Sequence, residues 1–111
     1  MKITHIDING ITFDNGVTLS HYHSQDCCEN VYADWNYLKD QFLEDVEFND
    51  ITIEKVAGCG FRLVAANKNA YFVPCYNYQN GYYSSDLELI VKSEVDSKTI
   101  DISDCVEDHI D

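Results

Sequence analysis

The chain has 111 residues, of which 45% are hydrophobic, and its twenty Asp and Glu against seven Lys and Arg give a formal net charge of −13. This length and apolar content predict one folded domain and exclude a largely disordered chain. The charge excludes direct binding of nucleic acid or of an anionic membrane, and it favours a basic protein partner.

The first predicted elements are two consecutive β-hairpins. Asn9-Gly10 and Asn15-Gly16 separate short runs in which apolar and polar residues alternate. Asn-Gly pairs favour the positive φ angles of tight hairpin turns, so they indicate where strands reverse. We therefore expect antiparallel strands over roughly the first twenty residues.

The segment that follows the hairpins holds the densest group of metal-binding residue types. His21 and His23 share one face of the strand that begins at Val17, and Cys27 and Cys28 follow after a short turn. Zinc prefers about four nitrogen and sulfur ligands in a tetrahedron. Adjacent side chains diverge, so we expect one of the two neighbouring Cys to bind and the other to pack.

The predicted zinc site is structural, and its ligand set remains open. Cys75 is the expected distant ligand, with Cys59 as an alternative, because each adjoins a predicted strand. Asp26 is either a direct ligand or a partner that orients a histidine. The competing interpretation is that these Cys pack as small buried hydrophobes.

A helix is predicted after residue 29. Val31, Trp35, Leu38 and Phe42 form an apolar stripe at helical spacing, and the helix is best defined over Asn36–Asp45. Val31 to Ala33 fit a strand equally well. Later strands are expected over Asp50–Val56, Gly60–Ala66, Ala70–Asn77 and Tyr82–Lys92.

These elements together predict an α+β fold, with a mostly antiparallel, strongly bent β-sheet and one main α-helix. The whole chain, residues 1–111, is expected to be a single acidic domain. Residues 94–111 contain seven acids and one Lys. They predict an acidic, partly frayed tail that includes a short strand near Thr99–Ile102.

The composition also predicts a compartment. No apolar run approaches the roughly 20 residues of a membrane span, and no secretory signal pattern opens the chain. Five Cys in such a sequence favour reduced thiols over a disulfide framework. We therefore expect a cytoplasmic protein with no membrane partner.

Three short motifs resemble those of a family of small, mostly uncharacterised proteins of bacteria and their phages. They are Asp26-Cys27-Cys28-Glu29 preceded by His23, then Gly60-Phe61-Arg62-Leu63, then Asn80-Gly81-Tyr82-Tyr83-Ser84. The resemblance covers roughly residues 5–92. It implies an α+β domain in which Glu29–Asp34 is a strand, and it implies that these motifs serve the fold.

Within that family, the small size and acidity look like a phage type II-A anti-CRISPR protein. This resemblance implies an inhibitor that binds Cas9, or another basic nucleic-acid-binding protein, and blocks DNA loading in the bacterial host cytoplasm. One alternative is a zinc-containing interaction module with an unknown partner. The other is an enzyme that pairs Cys27 or Cys28 with His21 or His23. No catalytic signature accompanies these residues, so we expect no enzymatic activity.

Overall fold

The computed structural model describes residues 1–23, 30–41, 43–78 and 86–106. Within these residues the chain forms nine β-strands and two 3₁₀ helices. The strands are β1 (Ile3–Asp7), β2 (Gly10–Phe13), β3 (Thr18–Tyr22), β4 (Asn30–Ala33), β5 (Ile53–Val56), β6 (Gly60–Val64), β7 (Ala70–Tyr78), β8 (Glu88–Lys92) and β9 (Ser97–Asp101). The 3₁₀ helices are η1 (Trp35–Asp40) and η2 (Ser103–Cys105).

The strands form two antiparallel sheets around one core. The first sheet has the order β1-β2-β3-β8-β9, and the second has the order β4-β7-β6-β5. Buried apolar residues of both sheets, among them Leu19 and Leu89 in the first and Phe61 and Val73 in the second, belong to a single cluster. The predicted antiparallel pairing is therefore confirmed.

The prediction of a main α-helix, and with it the α+β class, is wrong. Residues Asn30–Ala33 form β4, which pairs with β7, and η1 then runs for only six residues. Trp35 and Leu38, three residues apart, are its buried side chains, which suits the three-residue turn of a 3₁₀ helix. Of the apolar residues at helical spacing, Val31 therefore lies in β4, and Trp35 and Leu38 lie in η1.

The backbone at residue 41 ends η1 because it is extended, with φ −109° and ψ 131°. The Gln41 side-chain amide instead pairs with the backbone of Phe72 in β7. Its Nε2 donates to the Phe72 carbonyl at 2.8 Å, and its Oε1 accepts from the Phe72 N–H at 2.9 Å. The Tyr37 ring packs edge-on against the Phe72 ring at a centroid distance of 6.1 Å. These contacts join η1 to β7 at Phe72, which lies in the part of β7 that does not pair with β4.

The two N-terminal hairpins form where the Asn-Gly pairs predict them, but their turns are not of the predicted type, because neither Asn9 nor Asn15 has a positive φ. Asp7 and Gly10 are register partners in the first hairpin, and β2 pairs with β3 in the second. The Asp7 carboxylate accepts hydrogen bonds from the backbone N–H groups of Asn9 and Gly10, which holds the first turn closed. The same bonds, led by that from Asn9, lower the pKa of Asp7.

The close approach of β6 and β7 requires a glycine at the first position of β6. A Cβ atom on Gly60 would lie 2.1 Å from the Val73 carbonyl oxygen, and its φ is +156°. Only glycine fits this position without moving the backbone of β7.

The C-terminal acidic segment contributes to the core. Residues Ser97–Asp101 form β9, which pairs with β8, and the Ile102, Cys105 and Val106 side chains are buried. Residues 107–111 lie outside the described part. Within the described ranges, no helix is long and apolar enough to cross a membrane.

Candidate functional site

One end of the five-stranded sheet gathers acidic and aromatic side chains on its outer face. Here Glu88 at the start of β8 is the register partner of Tyr22 in β3 on one side and of Asp101 in β9 on the other. Leu87 and Leu89 point into the core, so Glu88 between them points outward. The Tyr22 side chain is 55% exposed. We call Tyr22, Glu88 and Asp101 the acidic face.

The two carboxylates of the acidic face lie directly opposite each other on neighbouring strands. Like charges in this arrangement repel and destabilise an antiparallel pair. Asp101 is held ionised by Ser103, whose hydroxyl and backbone N–H donate to Asp101 Oδ1 at 2.6 and 3.0 Å. Those bonds lower the pKa of Asp101, and the nearby Lys55 lowers it further. The Ser103 hydroxyl oxygen also accepts from the Leu87 N–H, which ties η2 to β8.

His23 lies next to the acidic face and is buried. Its Nδ1 is 2.5 Å from the carbonyl oxygen of Asp86 and 3.6 Å from the carboxylate Oδ1 of the same residue. A carbonyl oxygen only accepts hydrogen bonds, so Nδ1 carries a proton and donates it. His23 therefore links the end of β3 to the residue pair that precedes β8.

His21 points into the core, as the strand alternation predicts, and contacts the indole of Trp35. The indole Nε1–H donates to His21 Nδ1 at 2.7 Å, and the two rings stack with centroids 6.2 Å apart. An indole nitrogen only donates, so Nδ1 is unprotonated in this bond. Burial lowers the pKa of His21, which favours the neutral ring that the bond requires.

The prediction of a structural zinc ion is wrong. Among residues 1–23, 30–41, 43–78 and 86–106, no group of three or more His, Cys, Asp or Glu side chains is placed to hold a metal ion. For His21 the reason is that Nδ1 accepts from Trp35, so the neutral ring carries its proton on Nε2 and neither nitrogen is available to a metal. The bond that His23 donates to Asp86 does not itself exclude a metal, and for His23 the reason is that the described residues bring no set of further ligands to it.

The remaining predicted ligands are separated or lie outside the described residues. Cys75 is buried in β7, whereas Cys59 is exposed in the turn between β5 and β6. Burial, with a smaller contribution from Cys105, raises the pKa of Cys75 to about 12. Burial also raises the pKa of Cys105. Asp26, Cys27 and Cys28 lie outside the described part of the chain, as does the Asn80-Gly81-Tyr82-Tyr83 motif.

Sequence reasoning missed the acidic face because its members are distant along the chain. The alternation of β8 does place Glu88 on the polar side of its strand. Nothing local, however, indicates that Tyr22 and Asp101 flank it, since that depends on β3 and β9 both pairing with β8.

Comparison with known proteins identifies the domain but not its activity. No curated protein and no solved structure matches the chain significantly. A family model described as a domain of unknown function, DUF7448, matches residues 2–89. This range includes β1 to β7 and the start of β8, and so most of both sheets. The chain belongs to the DUF7448 family of domains of unknown function.

Proposed function

We propose that this chain is a protein-binding module that uses the acidic face to occupy a basic, nucleic-acid-binding surface of its partner. The observation that carries this proposal is the Glu88–Asp101 pair, two carboxylates held directly opposite each other beside an exposed tyrosine. Like charges directly opposite each other favour a cation nearby, and Lys55 of the chain itself already attracts Asp101. A partner that offers Arg or Lys beside Glu88 adds the cation that this second carboxylate attracts.

The hydrogen bonds around Asp101 support this proposal. Ser103 donates twice to Asp101 and keeps it ionised, so its negative charge is available to a partner at neutral pH. Tyr22 adds a large amphipathic side chain at one side of the same face, next to Glu88. Exposed tyrosines are common anchors at protein interfaces because they bury much area and lose little conformational entropy.

The charge of the whole molecule supports a nucleic-acid-binding partner in particular. Fifteen of the twenty Asp and Glu, and all seven Lys and Arg, fall within the described residues, so the acidic excess belongs to the folded domain. The ion pairs of Lys and Arg found there are Lys2–Asp45, at 3.7 Å, and Arg62–Glu54. A surplus of exposed carboxylates resembles the phosphate charge that a basic groove is built to bind.

Cas9 is the specific partner that we propose first, and the bacterial cytoplasm is the compartment in which binding takes place. Cas9 holds nucleic acid in a positively charged channel, and an acidic domain seated there excludes DNA. This assignment rests on the sequence resemblance and on the charge of the domain. An enzymatic role is not proposed, because Cys27 and Cys28, the suggested nucleophiles, lie outside the described residues and no catalytic signature accompanies them.

Co-elution on a sizing column tests the proposal. Purified protein is mixed with guide-loaded Cas9 at low salt, either before or after target DNA is added. We expect a stable complex when the protein is added first, and little complex when DNA already occupies the channel. The absence of a complex in both orders would remove Cas9 as the partner. A complex that forms equally well after DNA is bound would contradict competition for the DNA-binding surface.

A further inference from the structure

A groove runs along the outer edge of β1, at the opposite edge of the sheet from β8 and β9. It consists of two adjoining depressions of about 340 and 310 Å³. Ile6 of β1 and Lys39, Leu43 and Glu44 from the segment after β4 line both depressions. We call this feature the β1 groove.

β1 is an edge strand. It is the first strand of its sheet and, in the described part of the chain, it pairs with β2 alone, while η1 packs near it. Its register shifts between Ile3 and His5, which marks a bulge that disfavours further pairing at the start of the strand, so strand addition concerns residues 5–7. An unpaired strand edge offers N–H and C=O groups to another extended segment, the arrangement used in recognition by strand addition.

The walls of the β1 groove are apolar at the bottom and acidic at the rim. Ile3, Ile6 and Leu43 are partly buried and pack against the core, so they form the apolar bottom. Asp40 and Glu44 are exposed and belong to the lining of the depressions, and neither makes an ion pair within the described residues. Lys39 is the cationic side chain among the lining residues, and the exposed His5 contacts Asp7.

We propose that the β1 groove binds an extended, basic segment of a partner protein by strand addition to β1. Alternate side chains of such a segment point to opposite faces. Its apolar side chains enter the two depressions over Ile6 and Leu43, while its Lys or Arg side chains pair with Asp40 and Glu44. The net charge of −13 favours a basic segment and disfavours a second copy of this chain at the same edge.

This inference is independent of the acidic face. The β1 groove lies at the first strand of the five-stranded sheet, whereas Glu88 and Asp101 lie on its last two strands. A partner that uses both surfaces presents a basic groove to the acidic face and an extended basic segment to the β1 groove. Loss of either surface leaves the other intact, so experiments can separate them.

The test uses a fluorescein-labelled heptapeptide of alternating lysine and valine, blocked at both ends and titrated with the full chain at low salt. The control peptide has glycine in place of each valine and therefore the same charge. We expect anisotropy to report binding of the valine peptide, with affinity about tenfold weaker for the glycine peptide because its side chains leave the depressions empty. Equal affinity for the two peptides would overturn the proposal.

Two further measurements locate the bound peptide. Backbone amide chemical shifts of the wild-type chain should change upon peptide addition around Ile6 and Leu43. Shifts confined to residues 86–104 would place the peptide on the acidic face and overturn the proposal. Glu44→Lys should weaken peptide binding about fivefold, whereas the matched change Glu94→Lys, in the β8–β9 turn, should leave it nearly unchanged. Equal losses in the two variants would show charge attraction without a site and contradict the proposal.

Sedimentation of the free chain tests whether a second copy of the chain occupies the β1 groove. A monomer over the concentration range of the titration is the expected result. A dimer that the valine peptide dissociates would mean that a second copy occupies the β1 groove, and this would replace the proposal.

Discussion

The hydrogen bond from Trp35 to His21 links a buried indole to a titratable ring. The bond exists only while Nδ1 of His21 is unprotonated, and burial lowers the pKa of His21 below its ordinary value of 6.5. Between the ordinary and the lowered pKa, the unfolded chain binds a proton at His21 and the folded chain does not. The free energy of unfolding therefore carries a contribution that is fully present above about pH 6.5 and is lost as the pH falls below it.

Urea unfolding at pH 7.5 and at pH 5 measures this contribution, with the fluorescence of Trp35, the single tryptophan, as the readout. We expect His21→Gln to reduce the loss of stability between the two pH values, because glutamine can still accept the indole N–H but does not titrate. The matched control is His5→Gln at an exposed histidine. If both variants keep the pH dependence of the wild type, His21 is not the group responsible.

At the scale of elements, the Gln41 side-chain amide makes the two hydrogen bonds to the Phe72 backbone of β7 that a neighbouring strand would otherwise make. Gln41→Met has a similar volume and removes both hydrogen bonds to the Phe72 backbone. We expect it to lower the free energy of unfolding by about 2 kcal/mol, because a part-buried donor and acceptor lose their partner. Amide hydrogen exchange at Phe72 should accelerate as well.

Tyr37→Phe is the control for Gln41→Met, since it keeps the ring that packs on Phe72 and changes only the hydroxyl. Unchanged Phe72 exchange in Gln41→Met would mean that the side-chain amide does not protect the strand.

We expect removal of one charge from the Glu88–Asp101 pair to weaken binding without lowering stability. Glu88→Gln removes the like charge opposite Asp101 across β8 and β9, so we expect the free energy of unfolding to rise slightly or stay unchanged. Affinity for a basic partner should fall in the same variant. Glu54→Gln, which loses the ion pair with Arg62, should show no gain in stability. A destabilised Glu88→Gln would indicate that the carboxylate serves the fold.

The sequence predicts the strands better than the helix for a physical reason. In β8, Leu89 and Val91 face the core and Glu88 and Lys92 face outward, so its alternation is visible without knowing any partner strand. Residues Val31 to Ala33 were ambiguous because their apolar spacing suits a helix and a strand equally. Pairing with β7, more than forty residues later, decides the outcome, and local spacing carries no information about such a contact.

The predicted site failed for a related reason. Local spacing placed His21 on the inward face of β3, and this orientation is confirmed by its bond to the buried Trp35. The zinc prediction rests on the presence of two His and two Cys within eight positions. The structure instead uses His21 as the acceptor for the Trp35 indole and joins His23 to Asp86, and neither contact is visible in the spacing of His and Cys.

At the scale of the whole molecule, charge decides which partners the domain can approach. Among the described residues, carboxylates outnumber Lys and Arg by fifteen to seven. This excess repels nucleic acid and other copies of the chain, and it steers the domain towards basic surfaces at low ionic strength. The acidic face and the β1 groove then determine which part of the sheet meets the partner.

The most direct test of the central claim compares two charge reversals on the same segment of the chain. Glu88→Lys changes the acidic face, and Glu94→Lys makes the same change beyond the other end of β8. The measurement is competition of each variant with labelled target DNA for guide-loaded Cas9 at fixed salt. We predict that Glu88→Lys loses most of its ability to exclude DNA, while Glu94→Lys remains close to the wild type. Equal inhibition by both variants and the wild type would contradict a binding surface centred on Glu88 and Asp101.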